Sequence, residues 1–259
     1  MDPVQYLHFG AQCPGYMYMA EQAMGLANLM GRGLTVINLE EHPELGRRHG
    51  IFFPGTILVD GFVISYPGTP EQLYESCQRR GPLPGTYSYR PGAPGQCDRI
   101  VPLTPDLAYQ ASEVCLGPHV QPGAGGKGQW LDKIRGRAGR GILGYVGYRE
   151  DRAVAVVEML PETSVPYAIP GADPSSAWIT CIYGVSGGED YRPAVLARLM
   201  EEGASLGYRQ VRTAAGEETP YPNGPVDLFV AQGFATGEEL GEVLLRHRRD
   251  RMRLVTALL

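Results

Sequence analysis

The side chains able to do chemistry are few and widely spaced. Cys13 stands in Gln12-Cys13-Pro14-Gly15, just ahead of a run rich in Met, Ala and Leu from Met17 to Met30 that reads as a helix closed by Gly31. A thiol at the start of a helix has its anion stabilised by the helix dipole, which lowers its pKa. That would make Cys13 a monothiol nucleophile, a thiol-binding site or a metal ligand; the other reading is a small apolar filler. Glu158 is a lone carboxylate in the apolar stretch Ala153 to Leu160. Burial there would raise its pKa, whereas simple strand alternation would turn it to solvent. Cys181, in Ile179-Thr180-Cys181-Ile182-Tyr183, either lines a cleft or fills a core.

Other candidates recede on physical grounds. The five cysteines are odd in number and include no Cys-x-x-Cys pair, so neither a disulfide framework nor a zinc site is expected. His8, His42, His49, His119 and His247 show no ligand spacing. Met17, Met19, Met24 and Met30 sit in a helix, where methionine fills core rather than binding soft metals. No metal site is predicted. The basic cluster Arg246-His247-Arg248-Arg249, with Arg251 and Arg253, reads as a solvated hairpin turn.

The elements that must position these residues follow from composition and pattern. The chain has 259 residues, 35 of them glycine and 22 proline, and its hydrophobic content of 43% suffices for a core. A net charge of −5 argues against a nucleic-acid binder. No apolar run approaches the ~18 residues of a membrane span, the first residues lack a signal-peptide pattern, and the cysteine usage suits a cytoplasmic protein. Gly81 to Gly95 is so rich in proline and glycine that it reads as a linker, which divides the chain into 1–80, a linker over 81–97, and 98–259. Gly117 to Gly128 reads as a loop.

In the first part, strands are predicted at Tyr6–Phe9 and Leu34–Leu39. A hairpin follows, Thr56–Val59 and Phe62–Tyr66 about an Asp60-Gly61 turn, and then a helix opened by Thr69-Pro70. In the second part, strands are predicted at Arg99–Leu103, Gly141–Tyr148, Ala153–Leu160, Ala177–Gly184, Gln210–Ala214 and near 241–246 and 252–257. Helices are predicted at Pro105–Leu116, Gln129–Ile134, Pro193–Leu206 and Val226–Gln232. The fold class is α/β with a mixed, α+β character.

Residues 3–80 resemble the thioredoxin-like fold. Cys13-Pro14-Gly15-Tyr16 stands at the redox-motif position, Phe53-Pro54-Gly55-Thr56 at the cis-proline position, and Asp60-Gly61 in the hairpin turn. Tyr16 replaces the second cysteine, so a dithiol cycle cannot run within this part. Residues 97–259 resemble the GNAT (Gcn5-related N-acetyltransferase) superfamily. The resemblance rests on the long hairpin, the strand–loop–helix over 177–206, Leu206-Gly207-Tyr208-Arg209, and Phe229-Val230-Ala231-Gln232-Gly233-Phe234. Glu158-Met159-Leu160-Pro161-Glu162 is most similar to the YoaP-like branch, which also joins such a domain to a thioredoxin-like one.

That resemblance implies an acyltransferase that binds acetyl-CoA between its fourth and fifth strands. Backbone groups of Ile182, Tyr183 and Gly184, with Cys181 beside them, would align the pantetheine. The loop of Gly187, Gly188 and Arg192 would offer amides to the diphosphate, and Asn223 would touch the cofactor or serve as a turn residue. Glu158 becomes the candidate base. The tyrosine that often acts as acid in the family is Phe229 here, so Tyr221 or Tyr183 would substitute. The thioredoxin-like part would shape the substrate entrance, with Cys13 as a candidate catalytic thiol. The family's loop glycine is replaced by Asp190, beside Glu189, and its last small residue by Arg192. The expected partner is a small-molecule amine, with no nucleic acid and no membrane; a homodimer is left open. Two other readings stay open: a non-catalytic or CoA-less binding protein with degenerate domains, and a monothiol redox protein acting through Cys13.

Overall fold

The computed structural model describes residues 2–52, 55–117, 126–138, 143–167, 169–185 and 187–259. Phe53, Pro54, His119, Gly141 and Ile142, and most of the loop predicted over 117–128, lie outside the described residues.

The first sheet has four strands, β1 (Val4–His8), β2 (Leu34–Asn38), β3 (Thr56–Val59) and β4 (Phe62–Ile64), in the order β2-β1-β3-β4. β1 pairs parallel with β2 and antiparallel with β3. The predicted hairpin forms at Asp60-Gly61, both with positive φ (48° and 76°), the backbone that a two-residue turn with the native strand twist requires. Helix α1 (Tyr16–Leu29) links β1 to β2. A short helix, α2 (Pro43–His49), stands where the sequence reading gave only loop. Pro at its first turn, Arg47, Arg48 and His49 at its last, and a left-handed Gly50 cap explain it. Helix α3 (Pro70–Arg79) begins in a capping box between Thr69 and Gln72.

The second sheet has seven strands: β5 (Arg99–Pro102), β6 (Gly144–Arg149), β7 (Arg152–Pro161), β8 (Ser176–Gly184), β9 (Gln210–Gly216), β10 (Ala235–Leu245) and β11 (Arg248–Leu258). Their order is β10-β11-β9-β8-β7-β6-β5, and every pairing is antiparallel except β8 with β9. The long hairpin β6–β7 turns at Glu150-Asp151, both with positive φ (47° and 60°). β10 and β11 are longer than the 241–246 and 252–257 read from sequence, because their outer faces carry enough charge to hide the strand pattern. Only Arg246 and His247 form their turn; Arg248 and Arg249 already belong to β11.

Helix α4 (Ala108–Leu116) and helix α5 (Gly126–Ala138) cover one face of this sheet. α5 is longer than the predicted Gln129–Ile134, because its glycine-rich start was read as loop. Helix α6 (Arg192–Ser205), predicted as Pro193–Leu206, lies on the other face and buries an apolar stripe of Val195, Leu196 and Leu199 completely. A short helix, α7 (Val226–Val230), precedes β10.

The two sheets share packing. Phe9 and Phe52 of the first part belong to the same core as Trp130, Leu131, Val156 and Trp178 of the second. Main-chain bonds from Ser65 N to Leu244 O (3.3 Å) and Leu83 N to Arg246 O (2.7 Å) tie the first part and the start of the linker to the β10–β11 hairpin. The proline- and glycine-rich segment also makes a parallel bridge, Pro94 with Asp190, at the start of α6.

Candidate functional site

β8 and β9 form a fork. They pair only over Ser176–Trp178 and Gln210–Arg212, after which β8 runs on to Gly184 paired only with β7, and β9 to Gly216 paired with β11. A bulge helps to open it: Glu158 faces Cys181 and Met159 faces Ile179, so Thr180 is the extra residue on β8. Thr180 is 1% exposed, and its hydroxyl has no hydrogen-bond partner among the described residues. The crotch of the fork is stitched by side chains. Thr213 Oγ1 donates to Ile179 O (2.9 Å), and Asn223 Nδ2 donates to Thr213 Oγ1 (2.9 Å) and reaches Ile179 O and Ala214 O. Asn223 is 1% exposed and lies in the turn that precedes α7, so it is a turn residue and also a buried bridge between the two strands. Below the crotch, Arg212 makes a two-pronged ion pair with buried Glu162 (both contacts 2.5 Å) and also donates to Pro170 O (3.0 Å).

Beside the fork lies a closed polar cluster drawn from both parts of the chain. Glu158 is 1% exposed, so the buried alternative is the one adopted. Its partner is Lys127, on the first turn of α5, whose ammonium also donates to Gln12 O (2.7 Å). Gln12 Nε2 donates to Glu158 Oε2 (3.4 Å), Tyr167 OH donates to Gln12 Oε1 (3.4 Å), and Tyr183 OH donates to Glu158 Oε1 (3.4 Å). The cluster sits where the Gly10–Gln12 turn after β1 meets α5 and the β7–β8 pair, next to the packed aromatics Phe9, Trp130, Tyr167 and Trp178. Lys127 and Gln12 were not among the residues picked from sequence.

Burial disfavours the Lys127 ammonium, but the charge and hydrogen bond of Glu158 outweigh it, and its pKa stands above the ordinary lysine value. Burial pushes the Tyr183 phenol and the Cys181 thiol well above their usual ranges. Cys13 runs against its sequence expectation. Burial raises its pKa, and the bond to Gly15 and the charge of Lys127 only partly offset this. The helix cap position belongs to Gly15 rather than to Cys13, so the thiol is held as a thiol. Tyr221 is 37% exposed on the segment between β9 and α7, and desolvation raises its phenol.

The start of α6 is occupied by the chain itself. Asp190 N donates to Ala93 O (2.8 Å) and Gly95 N donates to Asp190 O (2.9 Å), so the linker lies along the loop. Asp190 Oδ1 accepts from Arg192 N (3.0 Å) and Arg192 Nε (2.9 Å), and Asp190 Oδ2 accepts from Arg192 Nη2 (2.7 Å). Arg192 also bonds the Tyr89 hydroxyl and is 8% exposed. It lies across the mouth of the fork: a Cβ on Gly184 would stand 3.3 Å from its Cγ, and one on Gly224 would stand 3.6 Å from its Nη1. Glu189 turns outward to Tyr191 OH (2.8 Å). Gly187 and Gly188 hold positive φ (84° and 79°) with open space where side chains would project.

A cavity of about 820 Å³ opens between the end of α4, the β6–β7 turn and the end of β8, walled by Glu113, Cys115, Tyr148, Asp151, Arg152 and Val185. Among the described residues no group of His, Cys, Asp and Glu could hold a metal ion, and no helix is long and apolar enough to cross a membrane.

No family model and no curated protein matches the sequence. Among solved structures, the chain is similar to a ribosomal-protein-alanine N-acetyltransferase from Brucella melitensis (TM-score 0.45, 19% identity, covering 62% of this chain and 99% of that one). It is similar to an acetyltransferase of the GNAT family from Streptococcus pneumoniae (TM-score 0.48, 11% identity, 62% and 98%). It is also similar to a Bacillus subtilis acetyltransferase in complex with CoA (TM-score 0.41, 13% identity, 62% and 97%). These likenesses are distant and assign no role to any residue.

Proposed function

We propose that this chain is an N-acetyltransferase of the GNAT superfamily that uses acetyl-CoA and a small amine, with a thioredoxin-like first part closing one wall of the site. The observation that carries this reading is the β8–β9 fork with its bulge, set directly beside a buried Glu158–Tyr183 pair. A strand that leaves its neighbour exposes a row of amides and carbonyls, and a pantetheine arm can take the place of the missing strand. The unpartnered Thr180 hydroxyl and the free edge of Cys181–Gly184 fit an acetyl thioester. As arranged, Asp190, Arg192 and Ala93 do not fit the diphosphate end, because they satisfy one another.

When bound, acetyl-CoA supplies an activated acyl carbon. The chain's own residues do the rest. Glu158, buried beside the fork, would take a proton from an amine. Tyr183, hydrogen-bonded to Glu158, holds a proton on a phenol that stays protonated at neutral pH, as an acid must. β8 amides aimed into the fork would stabilise the developing oxyanion. The cavity beside α4 offers Glu113 and Asp151 to an incoming ammonium.

Calorimetric titration of the whole chain with acetyl-CoA, followed by an amine panel scored for acetylated product, tests the reading. One-site binding and a product that Glu158→Gln suppresses by about 100-fold support it. A specific observation favours a second reading, a CoA-less binding protein: Arg192, neutralised by Asp190, closes the mouth of the fork. Absence of binding at millimolar acetyl-CoA would select that second reading.

A further inference from the structure

Among the described residues the two sheets have outer strands β2 and β4, and β10 and β5. Three of these are blunted against further pairing. β4 is three residues long, and the main chain just after it bonds to β10 through Ser65 N and Leu244 O. β5 is four residues long, with Arg99 at one end and Pro102 at the other. β10 carries Glu238, Glu239 and Glu242, and its register with β11 shifts on both sides of Glu239. Short length, charge, proline and bulges are the devices that keep an edge from pairing with another chain. β2 has none of the last three. Leu34-Thr35-Val36-Ile37-Asn38 is uncharged, lacks proline and pairs with β1 in an unbroken register.

The bonds at the two ends of β2 fix where its free groups point. Gly33 O accepts from Val4 N (2.9 Å), and Leu39 N donates to His8 O (2.8 Å). The alternation of a parallel ladder then turns Thr35 and Ile37 toward β1 and leaves the N–H and C=O of Leu34, Val36 and Asn38 facing outward. Asn38 O is taken by Glu41 N (3.0 Å) and His42 N (3.1 Å), and the other outward groups have no partner among the described residues. Val36 is 52% exposed. Its side chain shares a face with Leu34, which packs with Tyr6, Ala23 and Leu26 on the α1 side of the sheet. On α1, Met17 and Met24, expected from sequence as core filler, are instead 58% and 48% exposed, and Glu21 is the helix's one charged residue.

We infer that β2 is the surface on which a second copy of this chain docks, the two β2 strands pairing antiparallel about a two-fold axis at Val36. In that register Val36 exchanges N–H and C=O bonds with the partner's Val36. Asn38 N–H donates to the C=O of the partner's Leu34, and the symmetry repeats the bond in the other direction. Only Leu34 N–H meets a carbonyl that is already engaged, that of the partner's Asn38. On the α1 face Val36 lies opposite the partner's Val36, a β-branched pair that suits a strand interface. Charge order favours the same direction. Arg32 stands just before β2 and exposed Glu41 just after it, so antiparallel strands bring basic end to acidic end, whereas parallel strands bring like to like. A copy of this chain matches both the bonding pattern and the charge order by symmetry. The pairing joins the two four-stranded sheets into one continuous sheet, and it does not depend on the acyl-transfer reading.

Sedimentation equilibrium of the full chain reads the association state, and amide hydrogen exchange over a concentration series locates the interface without any variant. The expected result is a reversible dimer in which the Val36 and Asn38 amides gain protection as concentration rises. Those of Thr35 and Ile37, bonded to β1, should be protected at every concentration. Val36→Lys sets two ammonium groups opposite each other from an exposed position and should weaken the dimer by about tenfold or more. Leu258→Lys, at a residue 82% exposed on β11, should leave it unchanged. A chain that stays monomeric up to about 1 mM overturns the inference. So does a dimer whose Val36 and Asn38 amides exchange equally fast at all concentrations, or one that Val36→Lys leaves intact. Protection of these amides only on adding a different protein also overturns it, and makes β2 an edge for an extended segment of that protein.

Discussion

Glu158 has its negative charge met by one ammonium, and Gln12 and Tyr183 also donate to its oxygens. Removing one partner of such a buried pair costs about 3–5 kcal/mol, because the other charge is left unpaired. Lys127→Met should therefore lower the unfolding free energy by about that amount, read by urea denaturation, while Lys127→Met with Glu158→Leu should recover much of it. The pH dependence has a defined sign. The folded-state pKa of Lys127 is raised, so the stability it contributes is fully present below the unfolded lysine value of about 10.4 and is lost as pH rises through the higher folded value. The ε-¹⁵N resonance of Lys127 should accordingly stay that of an ammonium past about pH 10.4; titration below that value would contradict the pairing. Glu158 was legible in the sequence as the one carboxylate in an apolar strand. Lys127 was not, since its glycine-rich surroundings read as loop; the scarcity of lysine was the signal that could have found it. Cys13 was legible in place but not in character, because the burial that raises its pKa comes from contacts across both parts of the chain.

At the scale of elements, the fork and the start of α6 pull in different directions. The fork follows from a parallel pair closed at one end and a bulge at Thr180; neither shows in periodicity, although the strands themselves do. The long hairpin and the α6 stripe were readable because apolar spacing is strong there, whereas β10 and α2 carry charge that masks their periods. The start of α6 was read as two carboxylates in a phosphate loop. The structure instead turns Glu189 outward and folds Asp190 onto Arg192. Asp190→Ala releases both the guanidinium and the Arg192 amide, so it should tighten acetyl-CoA binding by about tenfold, about 1.4 kcal/mol, in a calorimetric titration. Unchanged affinity would mean that the diphosphate does not use this helix end. Arg212→Ala, which strands Glu162 below the crotch, should cost about 3–5 kcal/mol of stability.

At the scale of the molecule, the two sheets share one core through Phe9 and Phe52, and Gln12 from the first part touches the carboxylate of the second. Scanning calorimetry should therefore show a single cooperative transition; two resolved transitions would contradict a shared core. Sequence reading placed both sheets but set a linker between them, and it could not see that this linker lies along α6 and seals its first turn. The account stands on whether the fork receives an acetyl thioester. Isothermal titration of the full chain with acetyl-CoA measures this most directly. Saturable one-site heat, strengthened by Asp190→Ala, is the predicted result. A flat titration in both the native chain and that variant would contradict it.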